Sequence, residues 1–481
     1  MTRYDLAVIG GGSGGVGAAL SAARAGLKVA LIDRADCLGG TSVRAGVTTW
    51  EPGAGGTGIP FDLFGRLRQS PNAVAVYSFG RHQAWHDPAR EPYRYPGGEH
   101  VCDPTRGYID TLRRHGSPGG GRAQAFRREH WHGVIFEPEH MARTMQELLT
   151  EAGCHVLLNT AFTNAYARHG VVPFVTLSNG ETLSADFYID STGDAVVCAS
   201  LGCGQMMGRE SRDAFDEPHA PATPGDQING VTLLYRVTPG ADARVEPLPS
   251  GIPADCWWRK RFPSAAIYHY PDGDLNINML PTMDGRELLG RGRPAAHAEC
   301  YRRIRAHWHY LQTNYEEFRS FRVSRVAPML GVRESRRIVG EYVLTEHDLR
   351  AGLSGQQHED IICLADHAVD VHGMPSPGIR ELTEPYGVPY RCLIPKGFRN
   401  LLVACRGASF SSIAASSCRL SRTMLQLGQA AGAAAAIAKE LDVRLPNIPP
   451  SAVRGALREQ HVQLQHPMPE GLRRYLAAPI G

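Results

Sequence analysis

The feature that most constrains this chain is a glycine-rich turn close to its beginning. Residues 6–9 form a short apolar run of the kind that a parallel strand buried on both faces requires. Gly10, Gly12 and Gly15 follow with the spacing G-x-G-x-x-G. In this spacing the first glycine permits a tight turn, the second lets the backbone approach a pyrophosphate, and the third lets a helix pack close to the strand.

The residues after this turn complete a β-α-β unit. An alanine-rich segment over 16–25 predicts a helix that ends at Gly26, and 27–32 predicts a second strand. Asp33 ends that strand, 23 residues after Gly10, where a carboxylate can hold ribose hydroxyl groups. The helix N-terminus offers free N–H groups to phosphates. The sequence therefore predicts dinucleotide binding, with a glycine-rich turn of some other α/β protein as the alternative.

Composition limits the remaining classes of function. A length of 481 residues suits two or three domains, and 43% apolar with 21% charged residues is typical of an ordinary globular protein. The net charge of +3 indicates no nucleic-acid partner. No apolar run reaches the roughly 20 residues of a spanning helix, so we expect no membrane partner. Eleven scattered cysteines do not form a disulfide framework, and we expect a cytoplasmic protein.

The order of the patterns predicts an α/β fold in which a Rossmann-type domain with a parallel sheet is interrupted twice. The segment 51–133 is rich in glycine, proline, histidine and arginine, and we expect a lid or inserted subdomain there. The segment 208–391 is expected to form an inserted α+β substrate or cap domain. The Rossmann-type domain takes 1–50, 134–207 and 392–445, followed by a tail over 446–481. Helices are predicted over 138–152, 295–318 and 420–441, the last smooth enough to pack tightly on a sheet.

Four later segments carry a family resemblance: Leu-Gly-Gly-Thr-Ser at 38–42, Ile-Asp-Ser-Thr-Gly-Asp-Ala at 189–195, and the segments 331–345 and 395–432. With them the chain resembles the FAD-dependent oxidoreductases related to fumarate reductase flavoprotein subunits and to ketosteroid dehydrogenases, and most of all a branch of bacterial flavoproteins. The resemblance covers the chain except for about 51–133. It implies a glutathione-reductase-like fold and FAD as the cofactor.

Carried over by position, the resemblance also implies the contacts of FAD. The glycine turn would hold the pyrophosphate, Asp33 the adenosine ribose, and the backbone of Ala161 the adenine. Arg406 and the helix after Cys418 would reach the flavin end, where the helix dipole can stabilise negative charge. The complete set of implied FAD contacts is Gly10, Gly12, Ser13, Gly14, Gly15, Asp33, Arg34, Gly39, Gly40, Thr41, Ser42, Gly46, Ala161, Thr192, Gly193, Asp194, Arg406, Gly407 and Arg419.

The chain departs from its relatives at two places. The family often carries a His-Glu pair where this chain has Ser412 and Ile413, so no histidine acts there. Disulfide reductases carry Cys-x4-Cys directly after Gly-Gly-Thr, where this chain has Ser42 and Val47, which excludes a dithiol relay. Covalent attachment of flavin through Cys37 or His82 stays open.

Flavin dehydrogenation needs a base near the substrate carbon and a group that holds the substrate. His372, spaced as Asp-x-His with Asp370, is the candidate acid or base, with a structural histidine bonded to the backbone as the alternative. Arg44 follows the flavin loop and is a candidate pocket residue, or else an arginine that pairs with phosphate or points to solvent. Tyr386 is a candidate proton donor.

Other patterns predict structure rather than chemistry. Arg333, Arg336 and Arg337 are expected to form ion pairs at a domain interface. His-Trp-His occurs at 130–132 and at 307–309, but no third ligand is placed, so we predict no metal site. Cys198 and Cys203 are expected to be buried thiols.

Three functions remain open. The first is an FAD-dependent dehydrogenase or oxidase that takes a hydride from a small organic substrate and passes electrons to oxygen or a carrier. The second is an NAD(P)H-dependent flavin reductase or monooxygenase. The third is a non-catalytic flavin-binding subunit that transfers electrons to a partner. No second nucleotide motif is visible, which favours the first, and a homodimer is the default assembly.

Overall fold

The computed structural model describes residues 3–79, 97–118, 122–372 and 379–478. The strands in chain order are β1 (Arg3–Ile9), β2 (Val29–Ile32), β3 (Thr49–Trp50), β4 (Val74–Phe79), β5 (Gly97–Cys102), β6 (Gly133–Phe136), β7 (His155–Leu157), β8 (Phe162–Ala165), β9 (Val175–Leu177), β10 (Thr182–Asp190), β11 (Gln205–Met206), β12 (Tyr235–Pro239), β13 (Ala265–His269), β14 (Leu275–Met279), β15 (Phe321–Val326), β16 (Arg337–Ile338), β17 (Ile361–Ala365), β18 (Val369–Asp370), β19 (Ile379–Arg380), β20 (Tyr386–Pro389) and β21 (Leu401–Val403). The α-helices are α1 (Ser13–Arg24), α2 (Thr41–Arg44), α3 (Ile59–Leu67), α4 (Arg122–His130), α5 (Pro138–Glu151), α6 (Val196–Ser200), α7 (Arg212–Phe215), α8 (Gly285–Arg291), α9 (Arg293–Asn314), α10 (Glu346–Gly355), α11 (Ser412–Ser417), α12 (Ser421–Glu440), α13 (Pro450–Glu459) and α14 (Glu470–Ala477).

The first sheet is built on parallel strands in the order β7-β2-β1-β10-β21. Strand β1 lies at its centre, where Val8 is opposite Leu31 on one side and Ile189 on the other. These three side chains are fully buried, as expected for a parallel sheet covered on both faces. An antiparallel extension, β9 and β8, continues the sheet from the beginning of β10. The predicted α/β class with a parallel sheet is confirmed.

The turn after β1 leaves no room for side chains. Gly10 has φ of +104°, and a Cβ there would lie 2.4 Å from the carbonyl oxygen of Ser191. A Cβ on Gly15 would lie 1.8 Å from the carbonyl oxygen of Gly10. The beginning of α1 therefore lies directly on the turn, at the carboxyl end of β1 and β10.

Helix α12 packs across α1 at backbone distance. A Cβ on Gly17 would lie 2.2 Å from the carbonyl oxygen of Leu425, and a Cβ on Gly428 would lie 1.9 Å from that of Gly14. The alanine-rich helix predicted over 420–441 therefore packs chiefly against another helix, whereas the sequence predicted a sheet as its neighbour. Small residues permit either arrangement, because their short side chains let a sheet or a helix approach the helix backbone equally closely.

The second sheet has eight strands in the order β15-β12-β14-β13-β5-β4-β6-β3. Its pairs are antiparallel except β13 with β5. Helix α9 covers β12 and β14, with Ile304 and Trp308 buried against Val237 and Ile277. The segment 51–133, expected as a lid or subdomain, contributes β4 and β5 to this sheet. Local sequence did not show these strands, because their partners are distant in the chain.

The predicted cap segment 208–391 divides between two cores. Its first part, with β12 to β15 and α9, forms the core of the second sheet. Its last part joins the core of the first sheet, because Ile362 on β17 and Val388 on β20 are buried among residues such as Leu427 of α12. Within the described residues, no helix combines the length and the apolar character needed to cross a membrane.

Candidate active site

A cavity of about 880 Å³ runs from the glycine turn to the second sheet. One end is lined by the turn after β1, the end of β2 and the loop after β10. The other end is lined by β4, β5 and β13 of the second sheet and by the N-terminus of α12. Its volume and mixed polar and apolar lining are typical of a site for a small molecule or cofactor.

The glycine-turn end of the cavity fits a dinucleotide. Asp33 accepts hydrogen bonds from the backbone N–H groups of Gly11 and Ala35, the latter at 2.7 Å, which fixes its carboxylate at the end of β2. Gly12 is the N-cap of α1 and brings no side chain to cap it, and the space where its Cβ would stand is open. The N–H groups of the first helical turn can therefore meet phosphate oxygens.

A half-buried carboxylate helps to hold the loop after β10. Asp194 accepts hydrogen bonds from Ser335 at 2.6 Å and from Arg406 at 2.8 Å, and also pairs with Arg293. Burial would raise the pKa of Asp194, but the two arginines lower it to about 2. Ion pairs therefore tie the loop to the segment after β21, through Arg406, and to α9, through Arg293.

At the opposite end, Asp370 joins His372 to Arg419. Its Oδ2 lies 2.6 Å from His372 Nε2 and 2.8 Å from Arg419 Nη2. Burial opposes the charged form of Asp370, yet His372 and Arg419 lower the pKa of its carboxyl well below the usual range. Burial, together with the charge of Arg333, lowers the pKa of His372 to about 4 against the attraction of Asp370. His372 is therefore neutral near pH 7, with its ring fixed by a charged carboxylate.

A second cluster of charged side chains surrounds Glu51. The sequence did not indicate Glu51 as a residue of the site. Glu51 Oε2 lies 2.6 Å from Arg114 Nη1 and 3.2 Å from His367 Nε2. Arg114 also donates two hydrogen bonds of 3.0 Å to Glu381. In the sequence, Arg114 lies 63 residues from Glu51, and His367 lies 316 residues from it. No local sequence pattern could reveal this cluster, because its members come together only in the folded chain.

The three arginines after Gly331 behave differently. Arg337 pairs with Glu210 at 3.0 Å and with Glu334 at 3.4 Å, as predicted. Arg336 donates to the backbone oxygen of Asp194 at 3.2 Å. Arg333 lines the cavity and makes no ion pair with any described residue; its Nη1 donates to Gly230 O at 2.8 Å and to Thr232 Oγ1 at 2.9 Å. Among the described residues, the predicted ion pair is therefore seen for Arg337 but not for Arg333 or Arg336.

The second sheet presents a row of aromatic rings to the cavity. His100 and Tyr268 stack with centroids 4.2 Å apart and an angle of 11° between their planes. Tyr77 meets His100 edge-on at 5.0 Å, and Phe79 contacts it at 4.6 Å. Trp131 completes the row beside Phe79, at 6.0 Å. We call these five residues the aromatic wall; all of them line the cavity.

The chain matches the family described as FAD dependent oxidoreductase over residues 5–457. It belongs to the FAD-dependent oxidoreductases. The predicted family, its cofactor FAD and its enzymatic nature are thereby confirmed. No curated protein matches the chain.

Solved structures similar to this FAD-dependent oxidoreductase are distant in sequence. A geranylgeranyl bacteriochlorophyll reductase-like protein from Thermoplasma acidophilum is 13% identical, with a TM-score of 0.46 over 95% of this chain and 83% of that one. The myxobacterial chondrochloren halogenase is 13% identical, with a TM-score of 0.45 over 96% and 80%. L-amino acid deaminase from Proteus myxofaciens is 11% identical, with a TM-score of 0.43 over 94% and 93%. At such identities the likeness concerns the fold alone.

Most of the residues expected at FAD in this oxidoreductase lie on the cavity wall. They are Gly10, Gly12, Ser13, Gly14, Asp33, Arg34, Gly40, Thr41, Ala161, Thr192, Gly193, Asp194, Arg406 and Arg419. The cavity wall does not include Gly15, Gly39, Ser42, Gly46 and Gly407. Gly15 supports the turn from behind, and a Cβ on Gly407 would lie 3.1 Å from the Cβ of Ala195.

The three predicted catalytic residues lie in different surroundings. His372 is on the cavity wall beside Asp370. Arg44 also reaches the wall, but its guanidinium pairs with Asp36, an outward-facing carboxylate that is 70% exposed. Tyr386 is not on the wall; it is fully buried, its hydroxyl lies 2.8 Å from Ser417 Oγ, and burial raises its pKa well above the usual range. Of the three predicted catalytic residues, the structure therefore brings only His372 into the charged group that contains Asp370 and Arg419.

The remaining candidates are the histidine triplets, the cysteines and His82. Among the described residues, no group of three or more histidine, cysteine, aspartate or glutamate side chains could hold a metal ion. His307 lies on α9 and contacts Tyr235, whereas the 130–132 triplet begins at His130, the last residue of α4. Cys198 and Cys203 are buried, as predicted. Cys37 is half-buried, and His82 lies outside the described residues.

Proposed function

We propose that this FAD-dependent oxidoreductase is a dehydrogenase or oxidase that takes a hydride from a small organic substrate and passes the electrons to oxygen or to a carrier. A single observation supports this most: one cavity joins the dinucleotide turn to the pair of Asp370 and His372. A cofactor that extends from the turn would bring its reactive end toward a neutral, oriented histidine.

FAD, when bound, supplies the hydride acceptor. Oxidation of a C–H bond beside a hydroxyl or amine releases a hydride from carbon and a proton from the heteroatom. His372 is the residue we propose to take that proton, because it is neutral near pH 7 and its ring is held at 2.6 Å by Asp370. The charge of Asp370 stabilises the imidazolium that forms.

The N-terminus of α12 supports the same end of the cavity. Leu420 and Ser421 line it, and no side chain caps the N-terminus of this 20-residue helix among the described residues. Its dipole places partial positive charge where reduction adds negative charge. Arg419, held by Asp370 at 2.8 Å, adds a full positive charge beside it.

The test is the absorption spectrum of the purified protein, recorded before and after acid precipitation and then during anaerobic mixing with small alcohols, amines and acids. We expect the bands of oxidised flavin, released by acid, and bleaching by a substrate alone. Bleaching by NADH or NADPH only would instead favour the reductase or monooxygenase. A protein that carries no flavin and takes up none would contradict the proposal.

A further inference from the structure

We propose that the end of the cavity opposite the glycine turn is a binding site for a planar aromatic anion, held between the aromatic wall and Arg333. This inference rests on the proposed function and adds the class of substrate to it. Three features support it: a cation that has no carboxylate partner among the described residues, a set of aromatic rings on the same cavity wall, and the presence on that wall of the histidine that would take the proton.

Arg333 has fewer partners than the other guanidinium groups at this end. Arg422 also makes no ion pair among the described residues, but it donates to three backbone oxygens and to the hydroxyl of Thr111. Arg114 pairs with Glu51 and Glu381, and Arg419 pairs with Asp370. Arg333 finds only a carbonyl oxygen and a hydroxyl among the described residues. Burial, with repulsion from Arg419, lowers the pKa of Arg333 to about 10, so its positive charge is poorly compensated. A half-buried cation on a cavity wall is stabilised by an anionic ligand, which supplies the missing charge.

The aromatic wall supplies flat apolar surface for the rest of the ligand. Tyr77, His100, Trp131 and Tyr268 lie on the cavity wall and are each at most 5% exposed, so each packed ring opens only a narrow part of its surface to a ligand. Burial lowers the pKa of His100 to about 3, and the ring is therefore uncharged and stacks as an aromatic group. Aromatic rings prefer such stacked and edge-on partners over aliphatic ones.

His100 also carries a polar atom for which the protein offers no partner. Its Nδ1 is buried without a hydrogen bond to any described residue. Buried polar atoms are rarely left unpaired, and a ligand that brings a hydroxyl or amine would satisfy this one. The aromatic wall is thus suited to a ring that carries a polar substituent.

Glu51 links the two parts of the proposed site. Its negative charge acts on His100 and Tyr268 of the aromatic wall and also on Arg333. Arg333 in turn acts on His372, whose pKa it lowers. A bound carboxylate would offset Arg333 and so raise the pKa of His372 toward its ordinary value. The ligand would therefore make His372 a stronger base at the moment it is needed.

The experiment is a titration of the oxidised, FAD-loaded enzyme with benzoate, 2-naphthoate, benzamide and cyclohexanecarboxylate, followed by the change in flavin absorbance and by calorimetry. We expect an aromatic carboxylate to bind at least about tenfold more tightly than benzamide, because a charge-assisted contact is lost in the amide. We expect it to bind about threefold to tenfold more tightly than the saturated ring.

Variants separate the contribution of the Arg333 charge from the contribution of the aromatic wall. Arg333→Gln should weaken the aromatic carboxylate at least about tenfold and leave benzamide unchanged, whereas Arg333→Lys should restore part of the affinity. Tyr268→Leu should remove the preference for the aromatic ring, and Tyr268→Phe should keep it. Arg325→Gln and Tyr301→Leu, which change side chains outside the cavity wall, serve as matched controls.

The outcomes show whether the anion that Arg333 binds is the aromatic ligand or the reduced cofactor. Equal binding of benzoate and benzamide, or carboxylate affinity that survives Arg333→Gln, would overturn the proposal. Arg333→Gln that lowers the flavin reduction potential while benzoate affinity stays unchanged would assign Arg333 to the reduced cofactor and also overturn it. Failure of both aromatic carboxylates to bind an enzyme that retains FAD contradicts this inference alone, whereas absence of FAD contradicts the proposed function.

Discussion

Asp370 is the side chain on which the orientation of His372 depends. We expect Asp370→Asn to lower kcat about 10-fold to 100-fold, because the ring loses its orienting charge. Since Asp370 raises the pKa of His372, its removal should also shift the acidic limb of the kcat/KM profile to lower pH. The measurement is a pH profile with the first substrate that bleaches the flavin.

The control for that variant is Asp226→Asn, at a carboxylate that is 73% exposed and pairs only with Arg286 among the described residues. It should leave both kcat and the profile as they are. An Asp370→Asn enzyme with an unchanged profile would show that His372 does not carry the proton.

Asp33 should contribute to the affinity for FAD. It is fixed by two backbone N–H groups and faces the cavity at the end of β2. We expect Asp33→Ala to weaken FAD binding by the apoprotein about 10-fold to 100-fold, since hydrogen bonds to a charged group are lost. Fluorescence titration with FAD measures this. Asp62→Ala, outside the cavity wall, should bind FAD normally, and equal affinities of the two variants would count against the assigned role.

Helices α1 and α12 are in contact through glycines that a larger residue could replace only if the helices moved apart. A Cβ on Gly428 would lie 1.9 Å from the carbonyl oxygen of Gly14, within the turn that faces the dinucleotide end. We expect Gly428→Ala to lower the free energy of unfolding by about 1–3 kcal/mol, because the helices must separate. FAD content should fall with it, since the turn moves with α1.

The matched change is Gly455→Ala on α13, where a Cβ would meet nothing within 4 Å. It should be neutral or slightly stabilising, because alanine favours a helix more than glycine does. Thermal denaturation of both variants, with and without added FAD, makes the comparison. Equal Tm values would mean that the two helices adjust without cost.

The sequence revealed the elements whose determinants are local. The turn at Gly10, the strand that ends at Asp33 and the helix that became α12 were recognisable because a few adjacent residues specify each. Strands β4 and β5 were not, because their pairing with β6 and β13 depends on residues far along the chain. The neighbour of α12 was likewise undetermined, since an alanine-rich surface suits a sheet or a helix.

The same distinction applies to the candidate site. His372 was visible through its spacing from Asp370, two positions away. Glu51 was not, because both His367 and Arg114 reach it only through the folded chain. Arg333 was expected to form an interface ion pair like Arg337, and only the structure shows that it differs.

The protein as a whole should lose stability in mild acid. His100, His307 and His372 are buried, and burial lowers their pKa values to about 3, 3 and 4. In the unfolded chain a histidine titrates near about 6.5, so between that pH and about 4 the unfolded state holds more protons. The free energy of unfolding therefore falls as pH falls, by at most about 1.4 kcal/mol per pH unit for each histidine.

Thermal denaturation between neutral and acidic pH measures this slope. His307→Gln should make it shallower, whereas His347→Gln, at an exposed histidine, should not. Parallel slopes for the wild type and the His307→Gln variant would show that His307 does not contribute.

The contact between α1 and α12 also sets an order of events during synthesis. Ser421, where α12 begins, comes 411 positions after Gly10. A nascent chain that has emerged only as far as the second sheet possesses the glycine turn, but it has neither the helix that holds this turn from behind nor the charged end of the cavity. Cofactor capture must therefore await the synthesis of α12, and a ribosome-bound chain stalled before residue 421 should not retain FAD.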